Sequence, residues 1–470
     1  MKLTSLLPPM FAVLALARPS AAQVSPPAAP VFLGGVPSGA RTAEAPVITI
    51  VDAITRALEH NLGVLTAEHA LGGARGTRWT ALSDLLPDVS ARIAETRQKI
   101  NLAAFGFGSS SGGPSFPAVS DLVGPFNVFD ARISVTQSVL DLQQLNEMRA
   151  ETHAVAAARY TYQDARGLVI HVAGTLYLQA LAAQARAASA QAQETTASAL
   201  HQQAVDMKAA GLVAGIDVLR AEVQLATESQ RATAAANDAA KARLQLARAI
   251  GLPLGQAFTL DPALPDLPAP EVDLEDAVAR AYATRNDYRA ALERITSAEA
   301  ARRAVIGEAL PSLRVDADYG AIGLRARDAL GTYSISGAVS VPIFSGGRTH
   351  GRLLEADAAL RRLNAEAEDL RASIYYEIQN ALLDLRATAQ ELETATKGRD
   401  LAAQQIVQAR DRFAAGVASN IEVVQAQEAV AASNEQYISA LYGYDLAKAA
   451  LLRGMGDSEE TLRAIMGGSR

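Results

Sequence analysis
Two long stretches of this chain repeat one another. "AAGLVAGIDVLRAEVQL" (Ala209–Leu225) and "AAGVASNIEVVQAQEAV" (Ala414–Val430) share Ala, Ala, Gly, Ile, Val and Ala in register, 205 residues apart. "VDAITRALEHNLGV" (Val51–Val64) aligns with "EDAVARAYATRNDY" (Glu275–Tyr288), placing Asp52 over Asp276, and Pro87 falls over Pro311 at the same spacing of 224. "ISVTQSVLD" (Ile133–Asp141) matches "GAVSVPIFS" (Gly337–Ser345), and "LARAIG" (Leu246–Gly251) matches "LLRGMG" (Leu451–Gly456). Landmarks that recur in one order mark two copies of a single supersecondary unit. The expected division is 1–22 signal peptide, 23–46 Pro-rich segment, 47–270 first copy, 271–456 second copy and 457–470 tail.

Each copy reads helix, strand, loop, strand, very long helix, turn, helix. Val315, Ala317, Tyr319 and Ala321 alternate with Arg314, Asp316, Asp318 and Gly320, the period-two pattern of a two-faced strand. "TYSISGAVSVPIF" (Thr332–Phe344) alternates in the same way as its partner. The first copy offers "VSARIAETRQKI" and "FNVFDARISVTQSV", separated by a Gly, Ser and Pro-rich loop about 20 residues longer than in the second copy. Proline then disappears: none lies between Pro125 and Pro253, and none after Pro342. Asp141 and Ser345, aligned in the copies, are good N-cap types. Leu353, Leu360, Leu363, Leu370, Ile374, Ile378, Leu382 and Leu385 step by sevens, fours and threes, a helical stripe of coiled-coil character. A helix running from about 141 to 210 would be on the order of 100 Å long, more than a compact domain accommodates. Gly211 and Gly416 break the periodicity where a left-handed C-cap is expected. Asp217 and Glu422 stand in the first turn of the returning helices, where a carboxylate suits the macrodipole. The repeated phrase is therefore the tip of a helical hairpin.

Composition narrows the function classes. The formal charge of −7 and 5% aromatic content argue against a nucleic-acid partner, which needs a basic face and stacking platforms. With no cysteine, the chain has no disulfides, thiolate metal ligands or thiol nucleophile, and no cysteine to carry a lipid. "MKLTSLLPPMFAVLALARPSAAQ" reads as a secretory signal cleaved near Ala22, since Pro8 and Pro9 count against an ordinary buried helix. No uninterrupted apolar run beyond it approaches the roughly 20 residues of a membrane-spanning helix. Entry into a membrane would therefore be as a barrel. Two copies give four strands, each about 10 to 13 residues, close to the length that crosses a bilayer when tilted. Four strands cannot close alone, and open edges in lipid cost several kcal/mol per unpaired group. A trimer with twelve strands is the simplest closure. The competing reading is a secreted periplasmic coiled-coil adaptor or scaffold that never inserts.

The order of elements, the internal repeat, "ALEHNLGV", "SVPIFSGGR" and the paired tip phrases resemble the TolC family of outer-membrane efflux and secretion channels. The resemblance covers nearly the whole mature chain. It implies a mainly α fold with a membrane β-barrel, in which a homotrimer sets a 12-stranded barrel on a long periplasmic α-helical barrel. It further implies a passive exit duct in the outer membrane of a Gram-negative bacterium, serving a tripartite efflux pump or type I secretion system. The hairpin tips, Gly211, Leu212 and Val213 with Gly416, Val417 and Ala418, would dock a periplasmic adaptor coupled to an inner-membrane transporter. In such channels an acidic ring closes the periplasmic aperture. The ring position matches Glu422, Asp217 matches an acidic residue of the first copy, the second ring position is Gln425, and the usual Arg and Tyr partners fall at Ala418 and Phe413. Closure should then rest less on charge pairing and more on packing than in the family pattern.

Catalytic and cofactor motifs are missing. The six histidines have no metal-ligand spacing, and "FSGGRTHGR" lacks the GK[ST] of a phosphate loop. "GSSSG" (Gly108–Gly112) fits the letters of a nucleophile elbow without its strand-turn-helix context and reads as an extracellular loop. No enzyme activity and no cofactor are expected.

Overall fold
The computed structural model describes residues 31–105, 122–262, 272–415, 417–418 and 420–456. The expected signal peptide, the "GSSSG" loop, Gly416 and the tail from 457 lie outside the described residues. In chain order the elements are β1 (Val47–Ile48), α1 (Ile50–His60), α2 (Leu62–Ser83), β2 (Asp88–Asn101), β3 (Leu122–Leu140), α3 (Leu142–Ala209) and α4 (Gly215–Ala249). There follow β4 (Thr259–Leu260), α5 (Leu274–Thr284), α6 (Asn286–Gly307), β5 (Ser312–Gly323), β6 (Leu330–Ser340), α7 (Arg348–Ala414) and α8 (Asn420–Gly454).

Local chemistry sets the helix boundaries. Thr49 and Asp52 form a reciprocal capping box at the start of α1, and Asp273 caps α5. Asp141 caps α3 as expected, accepting from the backbone N–H of Gln143 and Gln144 at 2.9 and 3.0 Å. Ser345 does not cap α7. Gly346 and Gly347 both have positive φ and turn the chain, so Gly347 takes the N-cap position, while Ser345 accepts the Arg348 N–H through its backbone carbonyl and its hydroxyl lies 3.1 Å from that of Thr349. The strand before it is also shorter than its alternation suggests. It ends at Ser340, because Pro342 has no N–H to extend a ladder, and Ile343 and Phe344 stand almost fully exposed. In the first copy the opposite occurs: β3 is 19 residues long, since Leu122 and Val123 still pair with Asn101 and Ile100.

The four long strands form one antiparallel sheet in the order β2-β3-β5-β6, so each copy contributes a hairpin and the two hairpins join through β3 and β5. The pleat sorts side chains by polarity. One face collects the half-buried Val135 with Val89, Ile93, Ile133, Tyr319, Tyr333, Ile335 and Val339, apolar yet exposed, Ile93 at 78% and Tyr333 at 77%. The other face carries Arg92, Asp130, Arg132, Asp316 and Asp318. Arg132 pairs with Asp318 and, at 3.3 Å, with Asp130, while the Thr136 hydroxyl donates to Asp316 at 2.9 Å. This is the alternation of a membrane barrel strand, apolar toward lipid and polar toward the lumen.

The helices pack lengthwise. α3 runs beside α2 and α6 along its first part and beside α4 along its last, while α7 packs on α6 and then α8. The main hydrophobic core lies midway along α3 and α7, where α1, α5 and the C-terminal ends of α4 and α8 converge on Val169, Ile170, Tyr177, Ile374, Ile378 and Leu451. A stretch of α3 here is apolar enough, by composition, to cross a bilayer, but its apolar side faces this core. The buried Tyr177 hydroxyl donates to the carbonyls of Ile48 and Asp261, pinning the parallel β1–β4 pair to α3.

Two equivalent joints close the core. In the first copy Asn61, between α1 and α2, donates through Nδ2 to the carbonyl of Ala249 at the end of α4. Arg285 stands at the matching joint between α5 and α6 and donates to the carbonyl of Gly454 at the end of α8. Arg285 also holds Asp287 at 2.6 Å and Glu377 at 2.6 Å. Burial alone would lower the pKa of Arg285, but these two carboxylates raise it.

Candidate functional site
The two hairpin ends farthest from the sheet carry the residues expected to form an aperture. At the first, α3 closes in a Schellman turn: Gly211, at φ +76°, donates to the Lys208 carbonyl at 3.0 Å and Leu212 donates to that of Met207 at 2.9 Å. Only a residue without a β-carbon adopts that backbone without strain. At the second, Val417 donates to the Arg412 carbonyl at 3.0 Å, the equivalent of the Leu212 bond. Both turns push an apolar side chain outward, leaving Leu212 71% and Val417 70% exposed; Val213 and Ala418 are half-buried.

Asp217 and Glu422 occupy the first turns of α4 and α8, one in each tip. Asp217 lies 3.3 Å from Arg220 on its own helix. Glu422 makes an ion pair at 3.1 Å with Arg412, from the last turn of α7. Arg412 is the residue that sequence reasoning missed. The resemblance puts the arginine position at Ala418; within the hairpin, the cation beside Glu422 comes from the other arm. Its signal was a basic residue in the last helical turn, where the dipole favours one. Gln425 is exposed one turn beyond Glu422.

Phe413 points the other way. It is buried with Ala409, Val423 and Ala426, and Ile406 packs on the same cluster. Leu200 and Met207 of α3 also pack against it, so this small cluster joins one hairpin to the other near their ends. Met207 follows from no motif; only its place one turn before Gly211 puts it there. Chemically the second tip offers an ion pair, with an apolar cluster behind it. Among the described residues no group of His, Asp and Glu could hold a metal ion.

Comparison with known proteins agrees with this geometry. The outer membrane efflux protein family matches residues 53–252 and 277–457, one segment in each copy of the repeat. No match is found among curated proteins. Among solved structures, the outer-membrane channel OprN is 20% identical, with 90% of this chain and 96% of that chain covered at a TM-score of 0.74. The CmeC outer membrane channel of Campylobacter jejuni is 16% identical, with 91% of each chain covered at a TM-score of 0.76. The outer membrane protein VceC of Vibrio cholerae is 17% identical, with 87% and 96% covered at 0.73. With matched segments spanning most of its length, a sheet apolar on its outer face and paired hairpins of long helices, the chain belongs to the outer membrane efflux protein family.

Proposed function
We propose that three copies of the chain assemble into a passive exit duct, with twelve strands closed as a barrel in the outer membrane and the long helices forming a periplasmic tube. The observation that carries this reading is the sheet. Among the described residues β2 and β6 each have one unpaired edge, and one face of the sheet is apolar and exposed. Edge pairing between copies satisfies the backbone, and lipid covers the face. A soluble scaffold would leave both costs standing, and the family assignment counts against it as well. The duct serves a tripartite efflux pump or a type I secretion system, and energy comes from an inner-membrane transporter reached through a periplasmic adaptor.

In this arrangement six related tips surround one aperture. Gly211, Leu212, Val213, Gly416, Val417 and Ala418 receive the adaptor, for which the exposed Leu212 and Val417 supply apolar knobs. Glu422, Gln425 and Asp217 face the opening, and Phe413 braces it from behind. The test is direct: the expressed protein should sediment with outer membranes and run as a heat-modifiable trimer. A purely soluble periplasmic pool would refute the duct.

A further inference from the structure
The duplication makes the packing between the two hairpins of one chain a template for packing between chains. Over the mid-height core α3 and α7 correspond at a spacing of 205 residues. Val169, Ala173, Tyr177 and Ala180 are buried in the first, and Ile374, Ile378, Leu382 and Leu385 in the second. α4 and α8 end in matching phrases at the same spacing, with Arg248 over Arg453. Within the chain α3 packs against α8, which leaves α4 and α7 as the outer helices of the two hairpins. A repetition of the α3–α8 seam between copies therefore sets α4 of one against α7 of another.

Two ion pairs cross the in-chain seam among the described residues. Arg453 of α8 reaches Asp164 of α3 at 2.6 Å, both largely buried, and Arg186 of α3 reaches Glu435 of α8 at 2.7 Å. Steps of seven from Asp164 through His171 to Leu178 mark the α3 stripe that runs between them. Its counterparts on α7 are Asp369, Tyr376 and Leu383, all exposed. Leu178 is 3% exposed, whereas Leu383 is 55% exposed. On the facing helix Ala449, one turn before Arg453, is 6% exposed, and its counterpart Leu244 is 69% exposed. The same stripe is covered in one copy of the repeat and bare in the other.

The bare stripes are complementary. Arg248 of α4 occupies the position of Arg453, and Asp369 of α7 occupies that of Asp164, so the repeat keeps a cation and an anion at matched places. Both are exposed, and neither enters an ion pair among the described residues. The other link is not kept: Arg186 corresponds to Glu391 and Glu435 to Gln230, a carboxylate and an amide.

We propose that Arg248 of one copy pairs with Asp369 of the next, placing α4 of the first beside α7 of the second in the register that α8 and α3 hold within one chain. The contact rests on the three-copy assembly proposed above, and adds to it which helix faces meet and which ion pair fixes their height. Covering Leu244, Tyr376 and Leu383 removes apolar surface from water, and excluding that water strengthens the ion pair. A head-to-tail contact of this kind generates a closed ring, in which three seams between chains alternate with three within chains.

The chain has no cysteine, so introduced thiols report only on the chosen pair. The variant Arg248→Cys, Asp369→Cys is treated with bismaleimidoethane in isolated outer membranes and boiled in detergent. Covalent dimers and trimers are expected on the denaturing gel, with none from either single variant. The control Asp164→Cys, Arg453→Cys should link within the chain and remain monomeric. Charge exchange gives a second reading. Arg248→Asp and Asp369→Arg each set like charges face to face and should lower the temperature at which the trimer dissociates on gels, and the two together should restore it. A cysteine variant that assembles as a trimer without forming the covalent ladder overturns this seam and leaves the duct standing. A double exchange no more stable than the single variants overturns it as well, and decides the matter where the cysteine variant fails to assemble. A parent that forms no trimer overturns both readings.

Discussion
Replacing Arg285 by Asn would give the second copy of the repeat the residue that the first copy uses at the same joint. Asn61 and Arg285 occupy equivalent positions, and both donate to the last carbonyls of a returning helix, Ala249 and Gly454. The copies differ in what surrounds the joint. Where the second has Asp287 and Glu377, the first has Gly63 and Val172. Asn at 285 could still reach Gly454, but it would strand both carboxylates. Asp287 is 22% exposed and loses a bidentate partner, whereas Glu377 is 51% exposed and well screened. Breaking a largely buried pair on one side costs roughly 3 kcal/mol, and the Glu377 contact adds under about 1 kcal/mol. The triple variant Arg285→Asn, Asp287→Gly, Glu377→Val restores the first copy's chemistry and should recover all but about 1–2 kcal/mol, mostly the helix cost of the glycine.

The pH dependence of the same joint has a defined sign. Burial would raise the pKa of Asp287, but hydrogen bonds and charge from Arg285 outweigh it and hold the carboxyl below the usual range. A depressed pKa contributes stability that is present above the unfolded-state value, about 4, and is lost as pH falls through the folded value. Thermal melts followed by far-ultraviolet dichroism at pH 7 and in this acid range measure both effects. Arg285→Asn should melt well below the parent at pH 7, with the gap narrowing in acid. A single variant that melts like the parent, or a triple variant no better than the single, would refute the account of the joint as an ion-paired replacement for Asn61.

Other consequences follow from the tips and the core. Phe413→Ala should open a void among Ala409, Val423 and Ala426, costing about 3 kcal/mol locally, and faster proteolytic nicking of the tip would report it. Unchanged nicking would mean that the cluster does not hold the hairpins. Arg412→Ala should free the Glu422 carboxylate and raise cation selectivity in planar bilayers, and Glu422→Gln should lower it; equal reversal potentials for the two would contradict an exposed ring. Tyr177→Phe removes the hydroxyl shared by the carbonyls of Ile48 and Asp261, and because the Asp261 N–H still serves the Ile48 carbonyl it should cost about 1 kcal/mol, seen as a lower melting temperature.

Much of the fold was legible because its signals are periodic. The repeat, the absence of proline along the long helices and the two-residue alternation of β5 each report a regular element directly. The Asp141 cap and the Gly211 turn were also legible, since each depends on one side chain or on the lack of one. What failed was local and depended on context. Ser345 looked like a cap, but the two glycines after it set the turn. β3 proved longer than its alternation because its partner strand continued to meet it. At the tip, the burial of Phe413 against Ala409 and Val423 was not legible, because it depends on how α7 and α8 face one another.

The sequence by itself determined that there are two units, that each carries two strands and a hairpin of long helices, and that the helices are too long for a compact domain. These follow from periodicity, which acts along the chain and needs no partner. Only the tertiary structure decided that Arg412 reaches Glu422, that Arg285 replaces Asn61 with a charged joint, and that Asp164 meets Arg453. Each of these depends on side chains brought together from different helices, often far apart in sequence. A helix pattern fixes which face is apolar, but not which residue on a neighbouring helix stands opposite.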